Sequence, residues 1–198
     1  MSVETTGEKA LTTHSYETYL QLEAESGLKH EFHDGFIVAM AGGSGNHSQL
    51  GTNVGRFLGN ALDKAGKNCN VFNSDLKVRI AATNRVYYPD ASVVCEPPVF
   101  SEKDKNALTN PSLIVEVLSD STEAFDRGDK FFHYRQIPSL QEYVLINQNE
   151  IRVETFYRHE GNLWEINSVE GLEAELSLKS LGVVITLSDL YRMVEIGE

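Results

Sequence analysis

The chain has 198 residues, enough for one well-filled core and marginal for two. Hydrophobic residues make up 41% and charged residues 23%, an ordinary globular balance, and no apolar run reaches the ~20 residues that a membrane span needs. A net charge of −12 argues against an extended nucleic-acid footprint. The charge is uneven: five Lys/Arg face two acids between Asp63 and Arg85, while four face eleven from Ser139 onward.

Residues 1–13 are polar, lack the apolar run of a secretory signal and read as a disordered tail before a single domain over 14–198. Ser15 is a suitable N-cap for a helix from Tyr16 to about Glu25, with Gly27 beyond its end. In His30-Glu31-Phe32-His33-Asp34-Gly35-Phe36-Ile37-Val38-Ala39 the Asp-Gly pair between apolar-patterned runs predicts a hairpin. Strand alternation places Glu31 and His33 on one of its faces and His30 and Phe32 on the other. Residues 41–46 lead into a long helix, about His47 to Lys64, with Leu50, Val54, Phe57, Leu58, Ala61 and Leu62 on one stripe and Gly66 as its stop. Gly51, Gly55 and Gly59 recur along that helix at roughly 1 kcal/mol each relative to alanine, which predicts close approach of another backbone.

Short strands are predicted at Asn70-Phe72 and Leu76-Ile80, then a continuous strand from Val86 to Val94 carrying Asp90. Cys69 and Cys95 lack CxxC spacing and lie in apolar runs, so they read as buried free thiols in a cytoplasmic protein. Residues 96–111, rich in proline, read as a surface loop. Leu113-Ile114-Val115-Glu116-Val117-Leu118 is apolar except at Glu116 and predicts a strand buried on both faces. A helix from about Glu123 to Gln136 follows, ended by Pro138. Strands are predicted at Glu142-Asn147, Ile151-Tyr157, Leu163-Ile166 and near Gly182-Thr186, and a last helix from Ser188.

An ionised carboxylate inside an apolar strand is costly without a partner. Asp90 and Glu116, on neighbouring strands, can share a divalent cation, since magnesium takes one or two carboxylates together with waters and phosphate oxygens. A nearby lysine can then stabilise charge building on phosphorus. Lys130 and Glu31 are the outer candidates. A zinc reading of the histidines fails, because no His/Cys set has ordinary zinc spacing.

The ordered set of Glu31 in "HEFHDGFIV", His47 at a helix start, "YYPDASVV", "PSLIVEVLSDST", Lys130 and Tyr134 in "DRGDKFFHYRQ", and "QEYVLIN" resembles the Uma family of restriction-endonuclease-like proteins, a branch of the PD-(D/E)xK nuclease superfamily. The resemblance runs from about Tyr16 to Tyr191. It implies an α/β fold with a restriction-endonuclease-like core, a mixed central β-sheet flanked by α-helices, and Mg²⁺ (or Mn²⁺) bound at the sheet's edge. The implied activity is endonucleolytic hydrolysis of DNA, and the implied assembly is a homo-oligomer, a dimer; the sequence does not name its interface, for which the Gly51-Gly55-Gly59 face is a candidate.

Asp90 matches the Pro-Asp acid, Glu116 the second acid and Glu31 a further metal or water ligand. The superfamily lysine is expected two residues after the second acid, where this chain has Leu118, so the role falls to Lys130 on the following helix. His47 and Tyr134 are candidates for supporting contacts. Asp120 and Asn147 depart from the family's usual proline and aspartate. The competing reading is a catalytically inactive nuclease-fold module that binds nucleic acid or protein. A third is a structural ion-pair core without a site.

Overall fold

Residues 12–197 are described by a computed structural model. The tail expected over 1–13 lies, through residue 11, outside the described residues.

Local rules account for the first elements. The Ser15 side chain accepts from the Thr18 N–H and caps α1 (Tyr16–Glu25). β1 (His30–His33) and β2 (Phe36–Ala39) form the hairpin, and Asp34 and Gly35 both take positive φ, as the tight turn requires. Ser44 caps α2 (Gly45–Lys64), and Gly66, at φ 66°, takes the left-handed conformation just after its end.

Among the described residues the expected close approach along the α2 glycines is not made. A Cβ at Gly51, Gly55 or Gly59 would meet no atom within 4 Å. The adjacent stripe, Leu50, Val54, Leu58 and Leu62, carries the packing instead.

β3 (Asn70–Asn73), β4 (Lys77–Ile80) and β5 (Arg85–Tyr87) follow, and then β6 (Ala91–Val94). The continuous strand predicted from Val86 to Val94 is therefore two strands in two sheets. The chain changes sheet through Tyr88-Pro89-Asp90, where Pro89 has no N–H to give a ladder. The stretch predicted as a surface loop contains β7 (Ala107–Leu108), buried and paired parallel with β4.

After β8 (Leu113–Leu118) the predicted single helix is interrupted. A short α3 (Glu123–Phe125) passes into a π-helical turn, Asp126–Lys130, and then into α4 (Phe131–Tyr134). β9 (Glu142–Asn147), β10 (Arg152–Arg158) and β11 (Trp164–Glu170) form a meander. β12 (Glu175–Leu178), which the sequence reading missed, pairs with β13 (Val183–Thr186) before α5 (Leu187–Leu190).

The fold is a mixed α/β arrangement with two principal sheets rather than one. The six-stranded sheet runs β11-β10-β9-β8-β6-β3 and is antiparallel except for the β8–β9 pair; the five-stranded sheet runs β2-β1-β5-β4-β7. Alternation along β8 divides the interior. Leu113, Val115 and Val117 pack with α2, β12, β13 and α5, while Ile114 and Leu118 pack with Tyr134, Leu140 and the five-stranded sheet. Glu116 points to the second side, between the two sheets.

The register also overturns the free-thiol expectation. Asn70 pairs with Val94 in the antiparallel β3–β6 ladder, so the next pair outward is Cys69 with Cys95, which form a disulfide with Cα atoms 4.0 Å apart. Cys95 is exposed, not buried. With the disulfide goes the ground for expecting a reducing compartment. Among the described residues no helix is long and apolar enough to cross a membrane.

Candidate active site

The site forms where the sheet change at Pro89 brings Asp90 beside β8. Ala91 pairs with Val115, so the next step of that antiparallel register sets Asp90 across from Glu116. Asp90 Oδ2 accepts the Val117 N–H at 2.7 Å, closing the pair at the point where the ladder ends. His47 Nε2, near the start of α2, lies 3.4 Å from the same oxygen.

Glu116 is 4% exposed and is held from the helical segment opposite. Lys130 Nζ lies 2.8 Å from Glu116 Oε1, and the Tyr134 hydroxyl donates to that oxygen at 3.1 Å. Lys130 is also 3.3 Å from Asp126 Oδ1 and 3.8 Å from Glu31 Oε1, with its ammonium 5.6 Å from the centre of the Tyr87 ring. Glu31 arrives from β1, whose Phe32 pairs with Val86 of β5. Its Oε2 meets His33 Nε2 at 2.9 Å and its Oε1 accepts the Tyr88 N–H at 3.4 Å. The six residues singled out in the sequence, Glu31, His47, Asp90, Glu116, Lys130 and Tyr134, thus belong to one connected cluster.

Two members were not assigned roles from the sequence. Asp126 is visible there only as an i, i+4 partner of Lys130, a spacing that more often marks a solvated pair. His33 is visible as the same-face neighbour of Glu31, and in the fold it also stacks on Phe125, with ring centroids 5.5 Å apart.

Three carboxylates lie within 4 Å of one ammonium here, with Asp90 across the ladder from Glu116. Burial pushes the Glu116 carboxyl well above its ordinary range; Lys130 opposes the shift, and the charges of Asp126 and Asp90 reinforce it. Asp90 is likewise raised by burial, against the pull of His47, the Val117 N–H and Lys130. Burial would raise Glu31 too, but Lys130 and His33 outweigh it and hold its carboxyl below the usual range. Burial disfavours the Lys130 ammonium, yet Glu116, Glu31 and Asp126 together hold its pKa well above that of a free lysine. The lysine is therefore a fixed cation at neutral pH, not a base. Burial and the neighbouring Glu116 likewise keep Tyr134 a neutral O–H donor.

No hydrogen bond falls on Asp90 Oδ1 or Glu116 Oε2 among the described residues. Those oxygens fit a hard divalent cation that completes its shell with water and phosphate oxygens. No group of three His, Cys, Asp or Glu side chains able to hold a metal by themselves is found among the described residues.

An open groove of about 680 Å³ reaches this cluster at Asp90 and His47. Its walls include Lys29, Met40 to Gly43, Asn73 and Ser74, and its far side is the α2 face carrying His47, Ser48, Gly51, Thr52 and Gly55. Asp90 is the one candidate metal carboxylate on its lining. The unfilled glycine face of α2 is therefore the side of the helix that borders the groove.

Comparison with known proteins agrees with this architecture. The profile of the Uma2 family, described as "Putative restriction endonuclease", matches residues 16–188. An uncharacterized protein of Synechocystis sp., slr1290, is 40% identical over 178 residues, which is 90% of this chain and 91% of that protein. A second uncharacterized Synechocystis protein, sll1609, is 39% identical over 165 residues, 83% of this chain and 92% of its own length. A crystal structure from Anabaena variabilis, described as a "putative nuclease belonging to DUF820", superposes with a TM-score of 0.70 over 88% of this chain and 96% of that one. At 18% identity that likeness is one of fold. With the family profile spanning most of its length, and relatives near 40% identity alongside, the chain belongs to the Uma2 family.

Proposed function

We propose that the protein is a Mg²⁺-dependent endonuclease that hydrolyses phosphodiester bonds of DNA, with Mn²⁺ able to substitute. The observation that carries this reading is the Asp90–Glu116 pair, set opposite each other at the end of a ladder with Lys130 fixed on Glu116. Family membership and the nuclease-like fold support it.

Asp90 Oδ1 and Glu116 Oε2 would hold the metal, which when bound supplies an acidified water and stabilises charge at phosphorus. Lys130 presents a permanent positive charge to the phosphoryl oxygens as negative charge builds there. Tyr134 fixes the Glu116 rotamer. Glu31, expected from the sequence to ligate metal, has both oxygens engaged, so in this reading it steadies Lys130. His47 orients Asp90 from the groove side, where the substrate strand enters. A homodimer would bring two such sites to two strands.

Cleavage of plasmid and oligonucleotide DNA with and without Mg²⁺ tests this. Asp90→Asn and Glu116→Gln should abolish cutting while circular dichroism stays that of the wild type. Lys130→Ala should lower kcat by about 10²–10³, the loss typical of one charge-stabilising donor. Retention of metal-dependent cutting by Asp90→Asn would refute the assignment.

One observation favours the inactive-module reading. The Lys130 ammonium lies within 4 Å of three carboxylates and already serves as their counter-ion. Nucleic-acid binding without cleavage in either metal would establish that alternative. Light scattering of the purified chain decides between dimer and monomer.

A further inference from the structure

We propose that Asp126 is the positioning residue of this site: it holds the Lys130 ammonium so that one N–H stays available to substrate. The proposal rests on the nuclease reading above and adds a residue to it.

Asp126 is 3% exposed, and its Oδ1 lies 3.3 Å from Lys130 Nζ. Its backbone carbonyl accepts from the Tyr143 hydroxyl at 3.0 Å, which ties the π turn to β9. The turn is thus anchored to the sheet through the residue whose side chain holds the lysine.

The π turn aligns the three contacts. In an α-helix, residues four apart are rotated by about 40° about the axis, so positions i, i+4 and i+8 drift apart. A single wider π turn reverses that offset over one step. Asp126, Lys130 and Tyr134 therefore stay on one face, and Lys130 and Tyr134 both reach Glu116 Oε1. An uninterrupted α-helix would turn the Asp126 carboxylate away from that column.

The donor count gives the carboxylate its role. A lysine ammonium has three N–H groups. Glu116 at 2.8 Å and Asp126 at 3.3 Å lie within reach of two, while Glu31 at 3.8 Å lies beyond hydrogen-bond distance. Among the described residues no third oxygen is found within hydrogen-bond distance of Nζ, and the Tyr87 ring lies 5.6 Å away. With Glu116 as its one near carboxylate, the flexible lysine stem would settle fully onto that residue. Asp126 draws the ammonium to a place between them, leaving one N–H for a phosphoryl oxygen.

The test is steady-state cleavage of an oligodeoxynucleotide in Mg²⁺ by Asp126→Asn, which keeps the side chain's shape and the Tyr143 contact. The expected result is a kcat lowered tenfold or more with KM within about threefold, and partial recovery in Asp126→Glu. In a Lys130→Gln background Asp126→Asn should cost nothing further, because both act through one group. Equal losses in the two backgrounds, or an unchanged kcat, would overturn the proposal; a residue that merely supports the fold would lower the melting temperature without separating kcat from KM.

Two readouts need no cleavage. Calorimetric Mg²⁺ affinity should stay within about threefold of wild type in Asp126→Asn but vanish in Glu116→Gln. The Lys130 side-chain NMR resonances should shift in Asp126→Asn. If the wild type cuts nothing, the nuclease reading fails, and an unmoved Lys130 resonance would separately overturn the positioning of the lysine. Should Asp126→Asn not fold, Asp126→Ala carries the same comparisons.

Discussion

Asp90 faces Glu116 across the last step of the β6–β8 ladder, and the Val117 N–H that a continued strand would have bonded is taken instead by the Asp90 carboxylate. The pair thus exists because the chain leaves the sheet at Pro89. A regular strand there would satisfy Val117 with a backbone carbonyl, leaving the Asp90 side chain free to turn elsewhere. The break that sequence reasoning missed builds the site.

The first prediction concerns the cost of that pair without metal. Asp90 has a folded pKa raised above the ordinary value near ~3.9. Between those two values the native protein holds more protons than the unfolded chain. Stability therefore falls as pH rises through the window and stays lowered above it. Asp90→Asn carries no such charge and can still accept from Val117. In chelator, Asp90→Asn should melt higher than wild type at pH 8, and the advantage should vanish near pH 3.5. An equal or lower melting temperature at pH 8 would show that the His47 contact dominates instead.

Divalent metal should reverse this balance. A cation bound only by the native state adds about 2.7 kcal/mol at a hundredfold excess over Kd, which for a domain of this size raises the midpoint by several degrees. The rise should be present in wild type and in Lys130→Gln, and absent in Glu116→Gln. Thermal scans in Mg²⁺ and Mn²⁺ against chelator read it directly.

The parts of the fold governed by local chemistry were legible in the sequence. Ser15 and Ser44 cap helices, Asp34-Gly35 turns the hairpin, and the apolar run around Glu116 is a buried strand. What depends on pairing was not legible. The switch of sheets at Pro89, the parallel bridge from β4 to β7 and the Cys69–Cys95 bond all follow from register. Within the site, Asp90, Glu116 and Lys130 stand out because charge is scarce in apolar runs or matches a motif. Asp126 does not, since an aspartate four residues before a lysine is common on any helix surface.

The α2 glycines give a prediction that separates stability from binding. A Cβ at Gly55 meets nothing within 4 Å, and the residue lies inside a helix. Gly55→Ala should therefore stabilise the protein by roughly 0.5–1 kcal/mol. Gly55→Leu should fold equally well but fill the groove bordering Asp90 and raise KM for an oligonucleotide with little change in kcat. Destabilisation by alanine would show that the glycine serves a backbone contact after all, and an unchanged KM would place the substrate elsewhere.

The disulfide supplies the last prediction. Cys69 and Cys95 are 26 residues apart in sequence, and closing a loop of that size removes unfolded-state entropy worth between about 3 and 4 kcal/mol. The bond clamps the end of β3, the edge strand of the six-stranded sheet, to the outer end of β6. Asn73 and Ser74, on the groove wall, and Asp90, at the inner end of β6, lie at the opposite end of the same pair. Reduction should thus lower the melting temperature by roughly 10 °C. It should spare the site, because the ladder from Asn70–Val94 to Asn73–Ala91 remains to hold it. Cys69→Ser/Cys95→Ser should reproduce the reduced protein and be insensitive to dithiothreitol. If reduction leaves the melting temperature unchanged while the oxidised bond is verified by mass spectrometry, the strand pair is stable without its clamp. If it abolishes Mg²⁺ binding as well, the β3–β6 ladder is coupled end to end and the carboxylate pair depends on it.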